Sequence, residues 1–255
     1  MARALRDGEL TPDMVAITFD DAYRDVLEHA KPVVDALEIP ATVFVVTDKL
    51  GDPRGFWWDR LAVAVLGGTL PQSMIPLSLL HEEENEDIAS AFADGDRQRL
   101  HLALWRNIRL LPPEARESAV DEVERLFAPV PHDPAPIMTA DELHALTASG
   151  WVSLGAHTAT HPSLPSLTNE GQRDEIYRSK ARLEEITGTP MSRLAYPFGD
   201  YDEQSLTIAR ELGFDHAVSV ETGPVRDPAS LFRLPRHDIK NWNGDKFARR
   251  VRWRF

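Results

Sequence analysis

Apolar and polar positions alternate between two periods along most of the chain. Residues 14–19 form a short apolar run with β-branched members that ends at the adjacent carboxylates Asp20 and Asp21, which predicts a buried strand. Over 22–37 the apolar residues Val26, Leu27, Ala30, Val33, Val34 and Leu37 recur at helical spacing, with Pro32 as a kink or boundary. Residues 41–47 form a second strand-like run, apolar without a break from Val43 to Val46. A strand, a helix and a strand so close together make a βαβ unit, hence a parallel pair joined by a right-handed crossover.

The stretch from about 51 to 136 breaks this rhythm. It opens on Gly51, Asp52 and Pro53 and the aromatic cluster Phe56-Trp57-Trp58, carries the acidic run Glu82-Glu83-Glu84, and predicts a helix over 113–127. It closes on Pro129, Pro131, Pro134 and Pro136, and reads as a helical insertion or lid. Alternation then resumes. Thr139 with Glu142 is a capping box, and Gly150 stands where that helix stops. Strands are predicted at 151–155, 194–198, 216–220 and 232–239, and helices at 169–187 and 202–212, ended by Gly188 and Gly213. This order predicts an α/β protein with a parallel sheet, open or closed.

Composition narrows the picture. At 255 residues the chain can bury a full core, and it is read as one domain, 1–255, carrying the insertion. It has no Cys, which excludes disulfides and Cys-ligated metals. The net charge of −13 opposes a phosphate backbone, so no nucleic-acid partner is expected; positive charge gathers only at 249–254. No apolar stretch is long enough to span a bilayer. The first ten residues mix Arg, Asp and Glu with no apolar signal core, so the expected compartment is cytoplasmic.

Four segments can carry chemistry, each at or near a strand end, where α/β folds gather ligands. Thr18-Phe19-Asp20-Asp21 sets two carboxylates side by side, an arrangement a cation relieves; Asp21 as a plain helix cap is the competing reading. His157 and His161, in His157-Thr158-Ala159-Thr160-His161-Pro162, follow a strand on a segment whose Gly, Thr and Pro disfavour a helix. Two imidazoles and one carboxylate would leave a fourth metal position open; two loop histidines without a ligand fit the pattern equally. Ala195-Tyr196-Pro197-Phe198-Gly199-Asp200 can bring backbone N–H groups to a ligand, or be a simple turn. Leu234-Pro235-Arg236-His237-Asp238 joins a permanent cation, an imidazole and a carboxylate, or forms a surface ion pair.

In combination these motifs resemble the polysaccharide deacetylase family of metal-dependent carbohydrate esterases. The likeness runs from about residue 11 to 240, with 51–136 as a variable insertion. It implies a distorted (β/α) barrel of fewer than eight strands. It implies that Asp21, His157 and His161 bind Zn²⁺ or another divalent metal. Asp20 would then be the base toward a metal-activated water, and the turn Tyr196, Pro197 and Phe198 would serve substrate and oxyanion through the Phe198 N–H. The implied reaction removes an N-acetyl group from an amino sugar of a saccharide or glycan. The physics agrees: a bound divalent ion polarises an amide carbonyl and acidifies water, and a nearby carboxylate takes the proton.

The chain departs from the family at three places. Ala22 stands where relatives carry Gly, and Ala195 where many carry the Arg that pairs with the base. Arg236 is expected to supply that charge. The family's acid sits in a Leu-x-His motif; here His237 comes one residue later, with His216 as a fallback. Trp57 and Trp58 offer faces to sugar rings or serve the core of the insertion. A sugar-binding homologue without turnover, and a hydrolase of another C–N amide or of an acetyl ester, remain as alternatives.

Overall fold

The strand runs form because their alternate residues find two different environments. The computed structural model describes residues 2–11, 14–72, 82–127 and 135–254. Its sheet has five parallel strands in chain order: β1 (Ile17–Phe19), β2 (Ala41–Val45), β3 (Val152–Ala156), β4 (Arg193–Ala195) and β5 (His216–Val218). Ile17 pairs with Ala41, Ala41 with Val152, Ala156 with Leu194 and Leu194 with Ala217. Sequential parallel strands with surrounding helices curl the sheet into part of a barrel, the distorted (β/α) barrel of fewer than eight strands that the sequence implied.

One face of the sheet is covered by helices. Val43, Val45, Val152, Leu154, Ala156, Leu194 and Ala217 pack there with Val34 of α2 (Lys31–Leu37), Leu143 and Leu146 of α7 (Ala140–Thr147), Ile176 and Leu183 of α8 (Asn169–Thr187) and Leu206 of α9 (Glu203–Glu211). The other face is the barrel interior, where Phe44, Ala195 and Val218 meet Leu234 and Leu5 of α1 (Ala2–Asp7). Alternation therefore assigns Thr18 and Gly155 to the interior, and Asp20 and His157 two residues on. Gly155 is required there: a Cβ would lie 2.5 Å from the ring of the buried Phe44.

Between β2 and β3 the chain builds α3 (Trp57–Ala62), α4 (Glu82–Ala93), α5 (Arg97–Ile108) and α6 (Pro113–Leu126). These have their own apolar cluster, centred on Trp57, Leu61, Leu104, Ile108, Val120 and Phe127. The acidic run begins α4, while Pro129, Pro131 and Pro134 of the proline-rich stretch lie outside the described residues. The capping box of Thr139 and Glu142 is formed, and Gly188 ends α8 at φ 65°.

Several predicted elements differ in extent. β1 is shorter than 14–19, because Met14 and Val15 are exposed and have no core to join. The predicted helix over 22–37 begins as a π-helical turn, Val26–Ala30, and becomes α2 at Lys31; Pro32 sits in its first turn, where a missing N–H is tolerated. The predicted strand at 194–198 stops at Ala195, because Pro197 and a left-handed Phe198 (φ 58°) turn the chain into a 3₁₀ turn. The predicted last strand over 232–239 reduces to one bridge, Leu234 with Val218. Pro235 has no N–H for a ladder, and the Arg236 N–H goes instead to Glu221 O. A basic helix, α10 (Gly244–Arg254), closes the described chain. Among the described residues no helix is long and apolar enough to cross a membrane.

His216, the fallback acid, opens β5 beside Arg193, the first residue of β4. It stands at the end of the sheet opposite Asp20 and His157, which excludes it from their chemistry. Burial, reinforced by Arg193, pushes its imidazole down to about 4. As pH falls from 6.5 toward 4, the unfolded chain takes up a proton that the folded chain refuses, so stability is lost across that window. We expect His216→Gln to flatten the urea-denaturation midpoint between pH 6.5 and 4.5, removing on the order of 2 kcal/mol of acid sensitivity. A variant with the wild-type pH dependence would contradict this.

Candidate metal and catalytic site

The two aspartates follow β1 but leave it in different ways. Asp20 continues the interior face. Asp21 and Ala22 are both left-handed, at φ 72° and 63°, and this turn carries the Asp21 carboxylate back toward the same cavity. Left-handed backbone at non-Gly residues costs of order 1 kcal/mol each, and such strain concentrates at functional sites. Chain returning from the insertion braces the turn: Met138 N–H donates to Ala22 O at 3.0 Å, and Arg24 N–H to Pro136 O at 2.8 Å. Ala22 is fully buried in the conformation that glycine adopts more easily.

The histidines approach from β3. His157 is the first residue past the strand, and its N–H donates to Val45 O at 3.0 Å. Its Nδ1 lies 2.8 Å from Ala195 O. A carbonyl only accepts, so Nδ1 carries the proton and Nε2 presents a lone pair. That Nε2 is 3.6 Å from Asp21 Oδ1 and 4.0 Å from Asp20 Oδ2. His161 Nε2 is 3.4 Å from the same Asp21 Oδ1. The two imidazoles are almost wholly buried, whereas Asp20 and Asp21 keep 29% and 23% of their side-chain surface, so the cluster opens to solvent on the aspartate side.

Within the triad no positive charge faces Asp21. Burial lowers the pKa of both histidines and keeps them neutral. Burial also raises Asp21, to about 8, with help from the Asp20 and Asp59 carboxylates. Asp21 Oδ1 is buried with no hydrogen-bond donor. One ligand atom from each of Asp21, His157 and His161 lies within 4.8 Å of the others. Ligands at ~2.0–2.1 Å around a tetrahedral Zn²⁺ stand roughly 3.3 Å apart, close to the two separations found here. Two imidazole nitrogens and a carboxylate oxygen suit zinc or a similar divalent transition metal. The residues therefore fit such an ion.

Asp20 is compensated differently. Arg236 donates to it in bidentate fashion, Nη1 to Oδ1 at 2.8 Å and Nη2 to Oδ2 at 2.7 Å. The same guanidinium is held by Ser219 O, by Thr18 Oγ1 and over the face of the Phe44 ring. Burial alone would raise Asp20, but the hydrogen bonds and positive charge of Arg236 hold the carboxyl below its usual range. Adjacent aspartates thus differ sharply in their affinity for a proton.

The third segment forms the opposite wall. Phe198 lies with its ring centroid 4.5 Å from that of His161, at 79°. Tyr196 is fully buried and donates its hydroxyl to Phe232 O, so it offers the site its backbone rather than its side chain. Pro197 is buried beside it. Trp57 is buried in the insertion, while Trp58 is half-buried with its ring 4.8 Å from that of His161. His237 is half-buried immediately after Arg236.

Some neighbours escaped the sequence reading. Trp58 Nε1 donates to the Tyr23 hydroxyl, which donates to Asp59 Oδ2. Arg109 donates to Asp200, which also accepts from Ser163, and its guanidinium stands over the Phe198 ring. Tyr23 and Asp59 each adjoin a motif that was read, Asp20-Asp21 and Trp57-Trp58, and adjacency is the one signal that pointed to them. Arg109 carries no such signal.

Comparison with known proteins agrees with this arrangement. The solved structure of Streptococcus pyogenes deacetylase PplD in complex with acetate superposes with a TM-score of 0.59 at 20% identity, covering 97% of this chain and 75% of that one. IcaB from Ammonifex degensii gives 0.57 at 16% identity, covering 96% and 74%. Both show likeness of fold. The curated protein YxkH of Bacillus subtilis (strain 168) is 26% identical over 99 residues, 39% of this chain and 35% of that relative, so the matched part is about a third of its length. The family model described as polysaccharide deacetylase matches residues 7–103 and 111–217, which include both aspartates, both histidines and the Phe198 turn. With so much of the chain matched, this protein belongs to the polysaccharide deacetylase family.

Proposed function

We propose that the chain is a divalent-metal-dependent hydrolase that removes N-acetyl groups from amino sugars of an acetylated polysaccharide, acting as one unit over residues 1–255. The observation that carries this reading is the division of labour between the adjacent aspartates. Asp21 shares a cavity with two neutral imidazoles, and Asp20 stands beside them in the grip of Arg236.

Asp21, His157 and His161 would hold the ion, which when bound supplies Lewis-acid polarisation of the acetyl carbonyl and a more acidic water. Asp20 stays ionised and takes the proton from the attacking water. Its bidentate contact keeps both oxygens oriented, and general-base assistance of this kind is worth about 10²–10⁴-fold. The Phe198 N–H, on a turn held by Arg109 and Asp200, donates to the oxyanion as the carbonyl becomes tetrahedral. The leaving amine needs a proton, and His237, next to Arg236 in the chain, is our candidate donor. Half-buried beside His161, Trp58 offers a face to a sugar ring, while Trp57 belongs to the insertion core.

Ala195 and the shifted His237 raised the alternative of a sugar binder without turnover. Arg236 supports the catalytic reading instead, since it brings a guanidinium to Asp20 from a different segment.

Two outcomes test these roles. Asp20→Asn should retain Zn²⁺ at wild-type stoichiometry and lose at least about 100-fold in kcat, followed as acetate released from N-acetylglucosamine oligomers; retained turnover would remove Asp20 as the base. Arg236→Ala should lower kcat by about 10–100-fold with KM and zinc content little changed, and Arg236→Lys should recover part of it. Unchanged kcat in the alanine variant, or equal loss in both, would count against a role in orienting Asp20.

A further inference from the structure

The turn that carries both histidines is gripped through its peptide groups by two buried charges of opposite sign. Glu175, on α8, accepts from Ala159 N–H at 3.0 Å, Thr160 N–H at 2.9 Å and Thr160 Oγ1 at 2.7 Å. Arg116, on α6 of the insertion, acts from the other side: Nη1 donates to His161 O at 2.9 Å and Nη2 to Thr160 O at 2.6 Å. The N–H groups of the turn thus meet an anion and its carbonyls meet a cation.

Arg116 is a costly residue to place there. It is 1% exposed and stands over the Trp57 ring, and its Nε has no hydrogen-bond partner. Desolvating a guanidinium is costly, and an apolar residue would suit the insertion core better. What the arginine adds is its hold on the turn. Thr158 and His161 are both left-handed, at φ 63° and 61°, a conformation that persists only where the surroundings over-determine it. A relaxed turn would swing the His161 ring off Asp21, since its Nδ1 has no partner to orient it.

We propose that Arg116 is a positioning residue of the metal site, through which the helical insertion fixes the His157–His161 turn with both Nε2 atoms on Asp21. The insertion is then part of the metal-binding apparatus rather than a lid over it. This inference rests on the divalent-metal reading of the three donors.

The test is Zn²⁺ affinity, measured on the metal-free chain by competition with a chelating dye, beside thermal stability. Arg116→Met keeps apolar bulk and should weaken Zn²⁺ binding by about 10–100-fold, the range for loss of an outer partner of a ligand; Arg116→Lys should recover part of it. Arg60→Met is the control. Arg60 is buried as well, and its guanidinium bonds Glu117, Asp121 and Glu124 of the same helix rather than the turn. It should lower stability and leave Zn²⁺ affinity in place. Should Arg116→Met not fold, Arg116→Lys decides, with an expected weakening of several-fold. Wild-type affinity in the Arg116 variants, or an equal loss in Arg60→Met, overturns the proposal while leaving the metal reading standing. A wild-type chain that takes up no Zn²⁺ overturns the metal reading, and this proposal with it.

Discussion

Two carboxylates that leave one strand side by side repel each other, and the rest of the site follows from how each is compensated. Asp20 receives a fixed cation: both of its oxygens face the Arg236 guanidinium, itself held by Ser219, Thr18 and the Phe44 ring. Asp21 receives none. It faces two imidazoles that burial keeps neutral, and its inner oxygen has no donor. A carboxylate opposite two nitrogen lone pairs is an unfavourable arrangement unless a proton or a metal cation enters, as the raised pKa of Asp21 reflects, and that want of positive charge is what suits the cavity to a divalent ion.

The geometry comes from the simplest property of a strand. Successive side chains alternate, so a residue two beyond an interior position is interior as well. Thr18 leads to Asp20 and Gly155 to His157 in this way, while left-handed turns bring Asp21 and His161 back into the cavity. Each departure from regular structure is braced. Returning chain at 136–138 holds the aspartate turn, Glu175 and Arg116 hold the histidine turn, and Arg109 with Asp200 holds the Phe198 turn. Arg109 and Arg116 come from the insertion, so its helices contribute to the architecture of the site as well as to their own core.

What could be read from the sequence was what is local. The apolar runs, the capping box and the four motif segments at strand ends each depend on a few neighbouring residues. The position of Arg236 followed from a deficit, because Ala195 left an expected positive charge unsupplied, and the structure places the guanidinium on Asp20. The predicted strand over 232–239 failed on one residue, Pro235, whose missing N–H ends a ladder that the apolar pattern alone suggested. The braces were out of reach for a different reason. Arg116 and His161 are 45 positions apart, Arg109 and Asp200 are 91, and nothing in a basic residue on an amphipathic helix says which distant carbonyl or carboxylate it meets.

The central claim is that one aspartate and two imidazoles share a divalent cation, and zinc K-edge absorption on the chain loaded with one equivalent of Zn²⁺ addresses it most directly. We expect a first shell of about four light atoms at ~2.0–2.1 Å with the outer-shell scattering of two imidazole rings, lost when His157 and His161 are both replaced by Ala. A shell of oxygens without imidazole scattering, or a spectrum unchanged in the double variant, would contradict the account.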